Sequence, residues 1–167
     1  MLQKKSFLFA IILFFAVKLH AQVPDSIPPF HKFKDYELGA TFSRDSLNKD
    51  HKQVFILYDA GCGHCQELGH EFAKAIPELD SLVDYYFIAM QEKPLVEGYI
   101  NMFAKELKNY SNVKFLHDPE GEFILKFHPK NFPATYIYDR KSSKLLFQID
   151  GESKVAKMLP FLKKQKE

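Results

Sequence analysis

The sequence has no tryptophan and only two cysteines among its 167 residues. With 17 Phe and 8 Tyr, aromatic packing must rest on these two residue types. The chain also lacks an apolar run of the roughly 20 residues that a membrane-spanning helix needs. Charge of neither sign is concentrated, and the net charge is only +2. The charge pattern therefore gives no indication of a nucleic-acid partner.

The first 21 residues differ from the rest of the chain. Lys4 and Lys5 precede an unbroken run of 11 apolar residues, 7–17, and Ala21 ends the segment. This order is typical of a secretory signal peptide cleaved after Ala21. The sequence therefore predicts an exported, periplasmic protein, with an uncleaved membrane tether as the alternative. Without this segment the chain has 20 basic and 21 acidic residues, because the segment holds three Lys and no acid.

The remaining residues are predicted to form a leader and one domain. Residues 22–32 contain three prolines and are expected to be an extended, poorly ordered leader. Residues 33–167 are predicted to form a single globular domain, because 46% of the chain is hydrophobic and its length allows a sizeable core.

The hydrophobic pattern beyond residue 50 alternates between strands and helices. Continuous β-rich runs predict strands buried on both faces, and apolar residues at helical spacing predict amphipathic helices. Pro77 is expected to end the first helix, and the buried stripe of the second is expected to comprise Tyr99, Met102, Phe103 and Leu107. The predicted strands are residues 53–58, 85–90, 113–116, 134–138 and 145–149, and the predicted helices are residues 62–75, 95–110, 123–127 and 155–162. This order predicts an α/β fold with a mixed central sheet, in which parallel strands and a C-terminal antiparallel hairpin are flanked by helices on both faces.

The two cysteines flank Gly63 and His64 at the point where the first helix is predicted to begin. Their i, i+3 spacing places both sulfur atoms on one side of the first helical turn. A helix N-terminus favours an anion, so Cys62 is predicted to be the nucleophilic thiolate and Cys65 the resolving thiol. His64, as an imidazolium, is predicted to stabilise that thiolate. The pair closes too short a loop to restrain the unfolded chain much, which favours a redox-active Cys62–Cys65 disulfide over a structural one.

Metal and haem sites fit the cysteine pair less well. A zinc site needs a second pair of ligands, and haem attachment needs a histidine directly after the second cysteine, where this chain has Gln66. A copper site formed by Cys62, Cys65 and a distant histidine stays open, because soft thiolates suit Cu(I). The favoured interpretation requires no metal and no cofactor.

Three segments resemble the bacterial thioredoxin-like oxidoreductases of the TlpA type. These are the strand QVFILYDA, the motif CGHC, and NFPATYIYD about 70 residues later. Residues 113–151 are similar to the second half of that family, in which a strand, Asp-Pro-x-Gly, a short helix and an x-Pro-x-Thr strand follow one another. The resemblance extends from Phe33 to the C-terminus. It implies a thioredoxin fold and thiol–disulfide exchange with protein thiols and disulfides.

The resemblance also implies a substrate-binding edge beside the cysteines. It implies a cis peptide bond between Phe132 and Pro133, with the Phe132 backbone pairing with the substrate chain. The residues predicted to bind substrate are Phe132, Pro133, Gly61 and Gly63.

Two features of the sequence, one residue and one dipeptide, depart from the pattern of that family. Thioredoxins place a buried aspartate six residues before the first cysteine, where this chain has Ile56. Asp59, Glu67 and His70 stay open as alternatives for moving the proton of Cys65. The Gly63-His64 dipeptide is that of protein disulfide isomerases, which leaves the direction of electron flow open.

The sequence thus predicts an exported protein-disulfide oxidoreductase, with reductase or general exchange activity favoured over isomerase or oxidase activity. A membrane or periplasmic redox partner is expected to recharge the cysteine pair. The alternatives are a copper-handling or cytochrome-maturation accessory that uses the same pair, and a non-catalytic binding module.

Overall fold

A computed structural model describes residues 22–164, which form one sheet with helices on both sides. The strands are β1 (Phe33–Asp35), β2 (Thr41–Phe42), β3 (Lys52–Leu57), β4 (Val83–Ala89), β5 (Val113–His117), β6 (Ala134–Tyr138) and β7 (Leu145–Asp150). The helices are α1 (Gly63–Ala75), α2 (Lys93–Phe103), α3 (Glu122–Phe127) and α4 (Leu159–Leu162). Short 3-10 helices are found at Arg44–Ser46, Ile76–Glu78, Lys105–Asn109 and Val155–Lys157. The predicted signal peptide lies outside the described residues.

The sheet has seven strands in the order β2-β1-β5-β4-β3-β6-β7. Strand β4 is parallel to both β3 and β5, whereas the pairs β3–β6 and β6–β7 are antiparallel. The predicted mixed sheet with a C-terminal antiparallel hairpin is therefore confirmed. None of the helices among residues 22–164 is both long enough and apolar enough to span a bilayer.

Strand β3 explains why a continuous apolar run is needed at the centre of the sheet. Val54 and Ile56 point into a core with α1, α2 and α4, and Phe55 and Leu57 point into a second core with α3. Both faces of the strand are covered, so each of its side chains from Val54 to Leu57 is fully buried. Strand β3 thus holds a fixed position from which the chain passes into α1.

The second predicted helix is shorter in the structure. Helix α2 ends at Phe103, because Ala104 leaves helical geometry at φ −138° and ψ 19° and a 3-10 helix follows. Tyr99 and Leu107 are buried as predicted, but the prediction for Met102 is wrong, since its side chain is 71% exposed. The buried residues of α2 are Val96, Tyr99 and Ile100, and at about 3.6 residues per turn Met102 lies outside the stripe that they form.

The helix predicted over residues 155–162 forms as two short pieces, Val155–Lys157 and α4. Pro160 lies inside α4 and has no N–H to continue the hydrogen-bond ladder from the preceding turn. Strands β1 and β2 have only three and two residues and are defined by their pairing with each other and with β5.

The proline-containing leader packs onto the domain, which differs from the expected poor order. The Phe30 side chain is fully buried and stacks on Phe33 with ring centroids 4.6 Å apart. The Glu122 carboxylate accepts hydrogen bonds from the N–H groups of His31 and Lys32 at 2.9 and 2.8 Å. The leader therefore packs in the second core, and its backbone is hydrogen-bonded to Glu122, the first residue of α3.

Candidate active site

The cysteine pair lies where β3 passes into α1. Cys62 caps the helix with extended backbone angles, and Gly63 is the first helical residue. The Cys62 N–H donates to the Asp59 carbonyl at 3.1 Å, and the Gln66 N–H donates to the Cys62 carbonyl at 3.0 Å. Both cysteines are free thiols, Cys62 half-buried and Cys65 fully buried. The predicted placement at a helix N-terminus is thus present.

The loop before Cys62 is held by Asp59. The Asp59 carboxylate accepts a hydrogen bond from the Gly61 N–H at 2.7 Å, and the backbone N–H of Asp59 donates to the Cys65 sulfur at 3.4 Å. The Gln66 side chain also donates to the Ala60 carbonyl at 3.0 Å. These contacts fix the turn and give the buried sulfur a hydrogen-bond donor. Of the three alternatives for moving the Cys65 proton, only Asp59 contacts that sulfur in the structure, through its backbone.

Burial dominates the electrostatics of Cys65. Loss of solvent raises the pKa of its thiol well above the ordinary range, the Asp59 N–H opposes that rise, and the neighbouring Cys62 adds to it. The buried Tyr58 and Tyr99 side chains pack in the same core as the thiol, and their rings stack at 4.3 Å between centroids. Burial likewise raises the pKa of both phenols, so both stay neutral in the physiological pH range. In the reduced protein at neutral pH, burial therefore favours the protonated form of Cys65.

His64 and Glu67 lie on the exposed side of α1. A hydrogen bond from Lys154 is the main cause that lowers the pKa of Glu67, and the charge of nearby His64 adds a smaller contribution. His70 is also exposed and lines a shallow groove with Glu67, Gly63 and Met102. The structure thus places His64 in the first helical turn between the two cysteines, in contact with solvent.

Phe132 and Pro133 lie at the same edge of the sheet as the cysteine loop. Leu57, the last residue of β3, pairs with Ala134, the first residue of β6. Pro133 therefore lies just beyond the end of β3 from which the chain continues to Cys62. The peptide bond between Phe132 and Pro133 is cis, and Pro133 is buried while Phe132 is half-buried.

Gly61 and Gly63, the other two residues predicted to bind substrate, are exposed on either side of Cys62. At Gly63 an added Cβ atom would meet no atom within 4 Å, so the position directly after Cys62 faces open space. Gly61 and Gly63 therefore flank Cys62 in the chain, and Phe132 and Pro133 lie at the same end of the sheet as this loop.

Comparison with solved structures identifies the architecture. A structure of MTB DsbF in mixed oxidized and reduced forms is 18% identical and superposes with a TM-score of 0.65, over 83% of this chain and 96% of that one. A thiol-disulfide oxidoreductase from Bacteroides fragilis is 17% identical with a TM-score of 0.62, over 82% of this chain and 99% of that one. Peroxidoxin BcpB from Mycobacterium tuberculosis is 17% identical with a TM-score of 0.65, over 84% and 96%. The chain has a thioredoxin fold.

No protein-family model matches the sequence, and a search of curated proteins finds no relative. A thioredoxin fold carries several thiol chemistries, since the similar structures include both disulfide oxidoreductases and a peroxidoxin. The fold alone therefore does not determine the reaction, which depends on the chemistry of the cysteine site.

Sequence reasoning missed the contact between Tyr99 and the cysteine helix. The Tyr99 hydroxyl donates to the Cys65 carbonyl at 3.0 Å, and a Cβ atom at Gly69 would lie 2.4 Å from that hydroxyl oxygen. A glycine in the middle of an otherwise helical segment is the one signal in the sequence that points to such a close approach. The partner residue on α2 could be identified only from the packing.

Among residues 22–164, no group of three or more His, Cys, Asp or Glu side chains is arranged to hold a metal ion. Within that part of the chain, a copper site would therefore rely on the two sulfur atoms of Cys62 and Cys65 alone.

Proposed function

We propose that this protein is an exported thiol–disulfide oxidoreductase that exchanges electrons between its Cys62–Cys65 pair and protein substrates. In the reducing direction, the Cys62 thiolate attacks one sulfur of a substrate disulfide, and the other substrate sulfur leaves as a thiolate. Cys65 then loses its proton and attacks the Cys62 sulfur of the mixed disulfide. The substrate leaves as a dithiol and the protein retains the Cys62–Cys65 disulfide, so two electrons pass to the substrate.

The observation that carries the proposal is the unequal placement of the two thiols. Cys62 caps α1 and is half-buried, next to the open space at Gly63, so a substrate sulfur has access to it. Cys65 is fully buried with its sulfur on the Asp59 N–H, so it meets substrate only through Cys62. A nucleophile at the surface and a protected thiol one turn deeper are the two components that this chemistry needs.

The substrate chain is proposed to lie between Cys62 and the Phe132–Pro133 edge. Because Pro133 has no N–H, the neighbouring backbone can stay open to a substrate chain. The register of β3 with β6 puts this backbone at the cysteine end of the sheet. An extended substrate segment would pair with the Phe132 backbone beside Cys62, with Gly61 and Gly63 leaving room for its side chains.

The cellular setting of the proposal is the periplasm. The N-terminal segment supports export, and one of the similar structures is described as a secreted disulfide oxidoreductase of Mycobacterium tuberculosis. We propose reduction or general exchange as the physiological direction, with a membrane or periplasmic partner that returns the pair to the dithiol.

Trapping of mixed disulfides tests the proposal. Cys65→Ala removes the resolving thiol, so it should accumulate disulfide-linked adducts with periplasmic proteins that disappear when a reductant is added. Cys62→Ala, the matched control, should give no such adducts because the remaining thiol is buried. Equal trapping by the two variants would reverse the assigned roles, and no adducts with either would contradict the exchange activity.

A further inference from the structure

Tyr99 connects α2 to the first turn of the cysteine helix. It is buried, and its hydroxyl donates to the Cys65 carbonyl oxygen at 3.0 Å. The two residues are 34 positions apart, so this bond joins separate elements. It acts directly on the backbone of the thiol that is proposed to resolve the mixed disulfide.

The Tyr99 ring is fixed from two sides. On one side it stacks on Tyr58, with ring centroids 4.3 Å apart and an interplanar angle of 28°. On the other side it occupies the space left by the missing side chain of Gly69, whose added Cβ atom would lie 2.9 Å from the ring carbon that bears the hydroxyl. The hydroxyl therefore has little freedom to leave the Cys65 carbonyl.

Both the backbone and the side chain of Cys65 are thus held by hydrogen bonds. Its carbonyl is bound by Tyr99, and its sulfur accepts the Asp59 N–H at 3.4 Å. An intramolecular attack is fast only when the reacting atoms are held close and aligned. On the basis of the proposed function, we infer that Tyr99 is a positioning residue for the resolving step, which holds the first turn of α1 so that Cys65 can attack the Cys62 mixed disulfide.

The two steps can be separated with 5,5′-dithiobis(2-nitrobenzoate) at equimolar concentration. Attack by Cys62 breaks the reagent disulfide, forms a mixed disulfide and releases the first coloured thiolate. Attack by Cys65 then forms the Cys62–Cys65 disulfide and releases the second thiolate, while the Cys65 proton passes to solvent. Stopped-flow absorbance of the reduced full chain records both rates.

Tyr99→Phe keeps the stacked ring and removes only the hydroxyl. We expect its second phase to slow by about fivefold, which is the effect of losing one hydrogen bond. Its first phase should stay within about twofold of the wild-type rate. Gly69→Ala displaces the hydroxyl and should slow the same phase. The matched control is Tyr85→Phe, which removes a buried hydroxyl that has no hydrogen-bond partner among residues 22–164.

The outcomes separate this inference from the proposed function. A Tyr99→Phe second phase equal to that of the wild type, or an equal slowing by Tyr85→Phe, would overturn the positioning role. A wild-type protein that releases only one thiolate would instead overturn the exchange mechanism itself, and with it this inference.

Discussion

Cys62 and Cys65 are one helical turn apart but have different surroundings. Cys62 is the half-buried cap of α1, while Cys65 is enclosed in the core that contains Tyr58 and Tyr99. Burial raises the pKa of Cys65 and so keeps its proton in place until exchange begins. Two identical side chains thereby acquire different roles from their positions alone.

The buried Cys65 thiol predicts how stability depends on pH. The native reduced protein keeps this proton above about pH 8.5, where an unfolded thiol loses it. The contribution of the Cys65 thiol to the free energy of unfolding is therefore fully present below that pH, and it is lost as the pH rises toward the native pKa. Between about pH 7.5 and about pH 9.5, the free energy of unfolding measured in urea should fall by about 1.4 kcal/mol more for the reduced wild type than for Cys65→Ala. Equal losses would contradict this account, since both proteins share every tyrosine.

His64 is predicted to tune the redox potential from its exposed position in the first turn. An imidazolium between the two cysteines would favour the Cys62 thiolate and hence the reduced form. His64→Pro should therefore make the protein more reducing by about 20 mV, since an exposed charge contributes only about 1 kcal/mol. Equilibration with glutathione buffers measures the potential, and His70→Ala, an exposed histidine of the same helix, is the control. A potential unchanged by His64→Pro would show that the imidazole has no such effect.

At the scale of elements, the sequence predicts those structures whose signal is local. Strand β3 carries a continuous apolar run, and α1 begins at the cysteines and ends before Pro77 as expected. The break after α2 and the two-residue strand β2 depend on packing and pairing with distant segments, and no periodic pattern records them. The cysteine pair could be recognised from its motif, whereas the Tyr99 contact depends on how α1 and α2 approach each other.

Two helix glycines give opposite predictions for the same substitution. Alanine favours a helix over glycine by about 1 kcal/mol. At Gly98 in α2 an added Cβ atom meets nothing within 4 Å, so Gly98→Ala should stabilise the protein by about 0.5–1 kcal/mol. At Gly69 the added Cβ atom would lie 2.4 Å from the Tyr99 hydroxyl oxygen, so Gly69→Ala should destabilise it by about 1–3 kcal/mol.

Urea unfolding of the two variants beside the wild type measures both effects. If Gly69→Ala were as stable as Gly98→Ala, the close contact between α1 and α2 would be disproved.

For the whole molecule, the sheet gathers distant segments at one edge. The pairing of Leu57 with Ala134 brings the cysteine loop and Pro133 together, although they are about 70 residues apart in the sequence. The leader completes the second core through Phe30, so the packed domain begins before Phe33. The proposed substrate edge is therefore a product of the complete fold rather than of one motif.

Export is a prediction about the whole chain. The protein expressed with its own N-terminus should be recovered from a periplasmic extract with Gln22 as its first residue, because Ala21 ends the predicted signal peptide. N-terminal sequencing of the recovered protein checks this. A protein that keeps residues 1–21 and stays with the membrane fraction would indicate the tethered form instead.

The most direct test of the central claim is a redox titration of the mature protein, with the masses of alkylated thiols as the readout. The proposed exchange mechanism predicts one two-electron transition in which Cys62 and Cys65 together form a disulfide. The midpoint should lie above the value of about −270 mV for thioredoxin and nearer to about −180 mV, as for isomerases with the same Gly-His dipeptide. A midpoint at or below the thioredoxin value would contradict the predicted effect of that dipeptide. Two thiols that never form a disulfide with each other at any potential would contradict the claim itself.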